Sequence, residues 1–153
     1  MKPLRIFLVD DSPLFRVCAA GFLASCSGVK VVGEAGSAAE GFEKIGRAAP
    51  DLVLMDLTMP GMNGIEATKR IKARPNPPRV AIVTFHDDPL FRTVAMAAGA
   101  DWYVVKDDFT EWITNLIFQT SQADGDADEF TTRLSEVEMH RPRPDQPPVA
   151  ERG

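Results

Sequence analysis

Residues 51–64 read Asp-Leu-Val-Leu-Met-Asp-Leu-Thr-Met-Pro-Gly-Met-Asn-Gly. The apolar run from Leu52 to Met55 ends in the carboxylate of Asp56. A loop built on Pro60, Gly61, Asn63 and Gly64 follows at once. A short apolar run bounded by turn residues is the pattern of a strand buried on both faces. Parallel sheets of such strands take their ligands outside the carboxyl ends. Asp56 therefore stands where a fold of this kind does its chemistry.

Upstream, the same pattern recurs. Leu4 to Val9 reads as a first strand, ending in Asp10 and Asp11. Ser12-Pro13 supplies an N-cap and a proline for the first turn of a helix. That helix should run to about Ser25, with Phe15, Ala19, Phe22 and Leu23 as its inward stripe. Val29 to Gly33 is a second strand. Ser37 and Glu40 form a capping box for a helix to about Ala48, before Pro50. Downstream, Gly64 to about Ala73 is a third helix with Ile65, Thr68 and Ile71 on one face. Pro75, Pro77 and Pro78 break the chain, and Arg79 to Thr84 is a fourth strand. Asp88-Pro89 opens a fourth helix that Gly99 ends. Asp101 to Val105 is a fifth strand leading to Lys106. Asp108 is expected to cap a last helix to about Thr120, with Trp112, Leu116 and Ile117 inward. Five strands alternating with five helices give an α/β fold with a doubly wound, five-stranded parallel sheet.

The 153 residues suit one domain with an appendage, and 44% hydrophobic with 25% charged residues is ordinary for a soluble globular protein. The net charge of −5 implies no general attraction to nucleic acid or an anionic membrane. Residues 1–120 carry 13 Lys/Arg against 14 Asp/Glu, whereas residues 121–153 carry 4 against 8. The domain is expected over 1–121. The acidic tail over 122–153, with four prolines in 142–148, is expected to be largely disordered. Within it Phe130, Leu134 and Val137 recur at helical spacing, which permits a short helix over 127–139. Cys18 and Cys26 both fall in the first helix as drawn, too far apart to bridge, and read as small apolar fillers of a reducing compartment. No apolar run approaches the ~20 residues that span a bilayer, and the basic start has no cleavage pattern, so a cytoplasmic location is expected.

The strand ends thus supply Asp10, Asp11, Asp56, Thr84 and Lys106. Two ionised carboxylates ~4 Å apart repel by about 4 kcal/mol at an effective dielectric of ~20. A cluster of three therefore needs protonation or a cation. Hard oxygen ligands with room for water suit Mg²⁺. A lysine and a hydroxyl beside it suit a small dianion, with Asp56 as the candidate nucleophile.

Four segments carry a family pattern: Val-Asp-Asp-Ser-Pro at 9–13, Leu-Met-Asp-Leu-Thr-Met-Pro-Gly-Met-Asn-Gly at 54–64, Val-Thr at 83–84, and Gly-Ala-Asp-Trp-Tyr-Val-Val-Lys at 99–106. From residue 4 to about 120 the chain resembles the receiver domain of two-component response regulators, which has a flavodoxin-like fold. The resemblance implies that Asp56 accepts a phosphoryl group from a histidine kinase or histidine phosphotransfer protein. It implies Mg²⁺ bound by Asp11, Asp56 and the backbone carbonyl of Thr58, with Asp10 acting through a water. Thr84 and Lys106 would contact phosphoryl oxygens, and Tyr103 would be the aromatic switch. The signal would emerge on the face made by the fourth helix, fifth strand and fifth helix, also a candidate homodimer face. Such a protein is not an enzyme beyond its own phosphorylation and dephosphorylation.

Some positions depart from the common pattern. Phe85 stands where a small residue is usual, so its ring could narrow access or slow hydrolysis. Thr58 and His86 occupy positions that tune acyl-phosphate lifetime, although His86 also reads as an exposed loop residue. Trp102 is either an interface residue or packing for a neighbouring helix. Lys106-Asp107 replaces the frequent Lys-Pro, a form met in receivers joined to helix-turn-helix effectors. With 33 residues after the last helix and no basic recognition helix among them, a stand-alone receiver without direct DNA binding is expected. The alternatives are a transcriptional regulator acting through another subunit, and an aspartyl-phosphate phosphatase of the haloacid dehalogenase kind. The latter needs an acid two residues after its nucleophile. Thr58 follows Asp56 at that spacing and Ser12 follows Asp10, so neither fits.

Overall fold

Alternation along the first strand shows how the sheet is built. In β1 (Leu4–Val9), Ile6 and Leu8 point to one face and Phe7 and Val9 to the other, and all four are buried. The computed structural model describes residues 2–122; the expectations of a largely disordered tail and of a short helix over 127–139 lie outside the described residues. The remaining elements are α1 (Pro13–Ala24), β2 (Val29–Ala35), α2 (Ala38–Ala48), β3 (Leu52–Met55), α3 (Gly64–Lys72), β4 (Arg79–Thr84), α4 (Pro89–Ala97), β5 (Trp102–Val105) and α5 (Phe109–Ser121), with a 3-10 turn at Lys106–Asp108. The strands are all parallel, in the order β2-β1-β3-β4-β5. Every strand therefore ends on the same edge. The order reverses between β1 and β3, which puts Asp10 and Asp56 at the switch point of the sheet.

The two faces carry separate cores. On one, Leu23 of α1 and Ile113, Leu116 and Ile117 of α5 cover Ile6, Leu8, Leu54 and Trp102. On the other, Ile45, Ile71 and Ala95 from α2, α3 and α4 cover Phe7, Met55, Ile82 and Tyr103. Phe15 and Phe22 sit at the margin of the first core, half-buried.

Local chemistry sets most of the boundaries as the sequence suggests. Ser12 Oγ accepts from Phe15 N at 3.2 Å with Pro13 in the first turn, and Ser37 Oγ accepts from Glu40 N at 3.2 Å. Gly99, at φ +103°, ends α4. Three expectations need correction. The second strand does not stop at Gly33 but continues to Ala35 past a register shift. A Cβ at Gly33 would lie 2.5 Å from the Phe7 ring, so this glycine serves close packing, not a turn. Asp108 makes no side-chain cap bond, because the 3-10 turn leads the chain into α5. Cys26 lies beyond the end of α1, and Cys18 is exposed, so only Cys26 acts as filler. Of the two readings open for Trp102, packing holds: it is 2% exposed and stacks edge-to-face on Trp112 of α5 at 5.7 Å. Among the described residues no helix is long and apolar enough to cross a membrane.

Candidate functional site

The backbone fixes the two central carboxylates first. Asp56 N donates to Val9 O at 2.8 Å, and Asp10 N donates to Ala35 O at 3.1 Å, so each acid continues the ladder one residue past its strand. Asp10 Oδ1 accepts from Ser12 N at 2.8 Å, and the Arg16 guanidinium donates to the Asp10 carbonyl. Directly after Asp56 the chain turns and comes back against itself. Gly64 N donates to Leu57 O at 3.0 Å, and a Cβ at Gly64 would lie 2.0 Å from the Asp56 carbonyl oxygen. Only glycine fits there.

Asp10, Asp11 and Asp56 each present a carboxylate oxygen within 4.8 Å of the others. Asp10 and Asp56 are buried, whereas Asp11 is exposed. Lys106, its side chain 4% exposed, brings Nζ to 2.8 Å from Asp10 Oδ2 and 3.9 Å from Asp56 Oδ2. One ammonium does not satisfy three acids. Burial, then the neighbouring Asp10 charge, pushes the Asp56 carboxyl from 3.8 up to about 7, although Lys106 opposes this. A cluster of three hard carboxylate donors with one acid forced towards neutrality fits a small divalent cation.

The other residues singled out in the sequence border this centre. Thr84 ends β4, buried, and its Oγ1 accepts from His86 N at 3.2 Å. Tyr103 is fully buried and its hydroxyl donates to the His86 carbonyl at 2.6 Å, which ties β5 to the loop before α4; burial pushes its phenol upward. Arg92 of α4 lies over the Tyr103 ring at 4.9 Å. The His86 side chain is exposed and turns to Phe91, edge-to-face at 5.8 Å. Thr58 is exposed in the loop after Asp56. Phe85 is 68% exposed, with its ring centroid 4.6 Å from Lys106 Nζ. A second ring at Lys106 had no sequence signal: Phe15 of α1, at 4.2 Å, reads in the sequence as one more apolar position of a helical stripe.

The comparisons agree with this geometry. The model of the response regulator receiver domain matches residues 6–117. Response regulator GacA of Pseudomonas viridiflava is 39% identical over 104 residues, covering 67% of this chain and 48% of that protein. The nitrate/nitrite response regulator protein NarL of Escherichia coli is 32% identical over 122 residues, covering 78% and 56%. The chain thus spans about half the length of these curated relatives. Among solved structures, the signal receiver domain of response regulator NarL from Mycobacterium tuberculosis superposes with a TM-score of 0.71 at 30% identity, over 77% of this chain and 98% of that one. With acids, threonine and lysine at the strand ends of a 2-1-3-4-5 parallel sheet and a family model matched over residues 6–117, the chain belongs to the response regulator receiver domain family.

Proposed function

We propose that the protein is a phosphorylatable receiver in two-component signalling, with Asp56 as the phosphoryl acceptor. The observation that carries this is the Asp56 carboxylate at the switch point of the sheet, within 4.8 Å of two further carboxylates and 3.9 Å from the Lys106 ammonium. An Asp56 oxygen attacks the phosphorus of a phosphohistidine on a kinase or phosphotransfer protein. The O–P bond forms, the N–P bond breaks, and its electron pair stays on the imidazole. Asp10, Asp11, Asp56 and the Thr58 carbonyl would hold Mg²⁺, which when bound neutralises the acids and polarises a phosphoryl oxygen. Lys106 pairs with a second oxygen, and Thr84 donates to a third once its hydroxyl rotates from the His86 amide.

Tyr103 is the switch aromatic in this reading. Its hydroxyl already reaches the His86 carbonyl, two residues past Thr84, so movement of Thr84 is felt at the ring and at α4. The α4–β5–α5 face then presents the signal to a protein partner, including a second copy. Its α4 offers Leu90, Phe91 and Val94 to solvent. Thr58, Phe85 and His86 set how readily water reaches the acyl phosphate. The chain turns over no substrate other than its own phosphoryl group.

Labelling of the wild-type chain by a kinase or small phosphodonor in Mg²⁺ should be lost in Asp56→Asn, and full labelling of that variant rules out the assignment. A second reading, transcriptional regulation through another subunit, is favoured by one observation: named relatives include the transcriptional regulatory protein LiaR of Bacillus subtilis, 34% identical over 123 residues. Salt-dependent retention of the purified chain on DNA would support it.

A further inference from the structure

The site lysine is held by more than its charge partners. Lys106 is the sole ammonium facing the acid cluster among the described residues, close to Asp10 Oδ2 at 2.8 Å and further from Asp56 Oδ2 at 3.9 Å. Its side chain is 4% exposed. Two phenyl rings account for this burial. The Phe15 centroid lies 4.2 Å and the Phe85 centroid 4.6 Å from Nζ, both within the ~6 Å at which a ring's negative face attracts a cation. Neither ring belongs to β5 or to the 3-10 turn that carries Lys106. Phe15 comes from α1 and is itself held edge-to-face by Phe109, at the start of α5, at 5.8 Å. Phe85 follows β4 and is 68% exposed, so it forms the outer side.

We infer that Phe15 and Phe85 are positioning residues for Lys106. Their ring faces hold the ammonium at the rim of the acid cluster, where a phosphoryl oxygen on Asp56 would meet it. This deepens the reading of Asp56 as phosphoryl acceptor and rests on it. A free lysine must give up rotamer freedom to take one position. Here the rings fix that position beforehand, so the ammonium is in place when charge develops on the phosphoryl group. Phe15 is the stronger anchor, because Phe109 fixes its ring while Phe85 stands in solvent.

The seat itself is tested without phosphorylation. In NMR spectra of the wild-type chain, the Lys106 methylene protons next to Nζ should be displaced upfield by the ring currents. Phe15→Leu should move them towards the values of a solvated lysine, and Phe15→Tyr should not. Values of a solvated lysine in the wild type would overturn the inference, whatever Asp56 does. The consequence is tested by labelling with phosphoramidate in Mg²⁺. Phe15→Leu should lower the maximal labelling rate about fivefold, with half-saturating phosphoramidate unchanged. Phe15→Tyr should label like wild type. 3,4,5-Trifluorophenylalanine at position 15, which keeps the ring but cancels its negative face, should behave like Leu. If the fluorinated ring labels like wild type, the ring only packs and positioning by its face is refuted. If the upfield shift is present and the wild type is not labelled at all, the seat stands and the reading of Asp56 is what fails.

Discussion

Asp56 is buried against two like charges, and this fixes how the protein should respond to pH when no divalent cation is present. Its carboxyl is pushed from 3.8 up to about 7, so the fold favours the protonated form. A group raised in this way contributes stability that is fully present below pH 3.8 and lost as pH rises to about 7. Asp56→Asn carries no such charge. In chelator, its stability by urea denaturation should therefore gain on the wild type between about pH 4 and pH 7. The gain should reach on the order of 2 kcal/mol after allowance for screening at the open side of the site. A constant gap across that range would show that the acid cluster is not strained.

At the scale of elements, the approach of α3 to the end of β3 is the tightest local constraint on the site. Gly64 opens α3, and an added methyl would stand 2.0 Å from the Asp56 carbonyl oxygen. Gly64→Ala should cost about 2 kcal/mol of stability in urea denaturation. It should also weaken Mg²⁺ binding, because the displaced backbone carries the Asp56 carboxylate. The sequence around this junction shows what can be read directly and what cannot. Asp10, Asp56, Thr84 and Lys106 are legible because each ends a strand, and parallel strands share an edge whatever the details of packing. Gly64 looks like any turn glycine, since its necessity comes from an element that folds back onto β3. Phe15 is invisible for a similar reason: at helical spacing, a ring that faces an ammonium reads the same as one that faces leucines. Trp102 and the extent of β2 depended on which neighbours cover them, Trp112 in one case and Phe7 in the other.

For the whole molecule, the site is a point of stored repulsion in an otherwise well-packed double core. A cation that relieves it should stabilise the entire domain, since binding to the native state alone shifts unfolding by mass action. Mg²⁺ at ~100 times its dissociation constant should add about 2.7 kcal/mol, seen as a higher melting temperature than in chelator. Asp11→Asn, which removes the exposed member of the cluster, should lose most of that increment while folding normally. An undiminished increment in Asp11→Asn would mean that the cation binds elsewhere.

The chain has two tryptophans, and they touch each other: Trp102 on β5 and Trp112 on α5, rings 5.7 Å apart at 64°. Both indole N–H groups are buried without a partner, and Trp102 is the chain neighbour of Tyr103. All indole absorption and emission of the protein therefore originates at the contact between β5 and α5, beside Tyr103. The molecule is in effect its own optical gauge, and the coupled ultraviolet dichroism of this ring pair reports how α5 is seated on the sheet with no label attached.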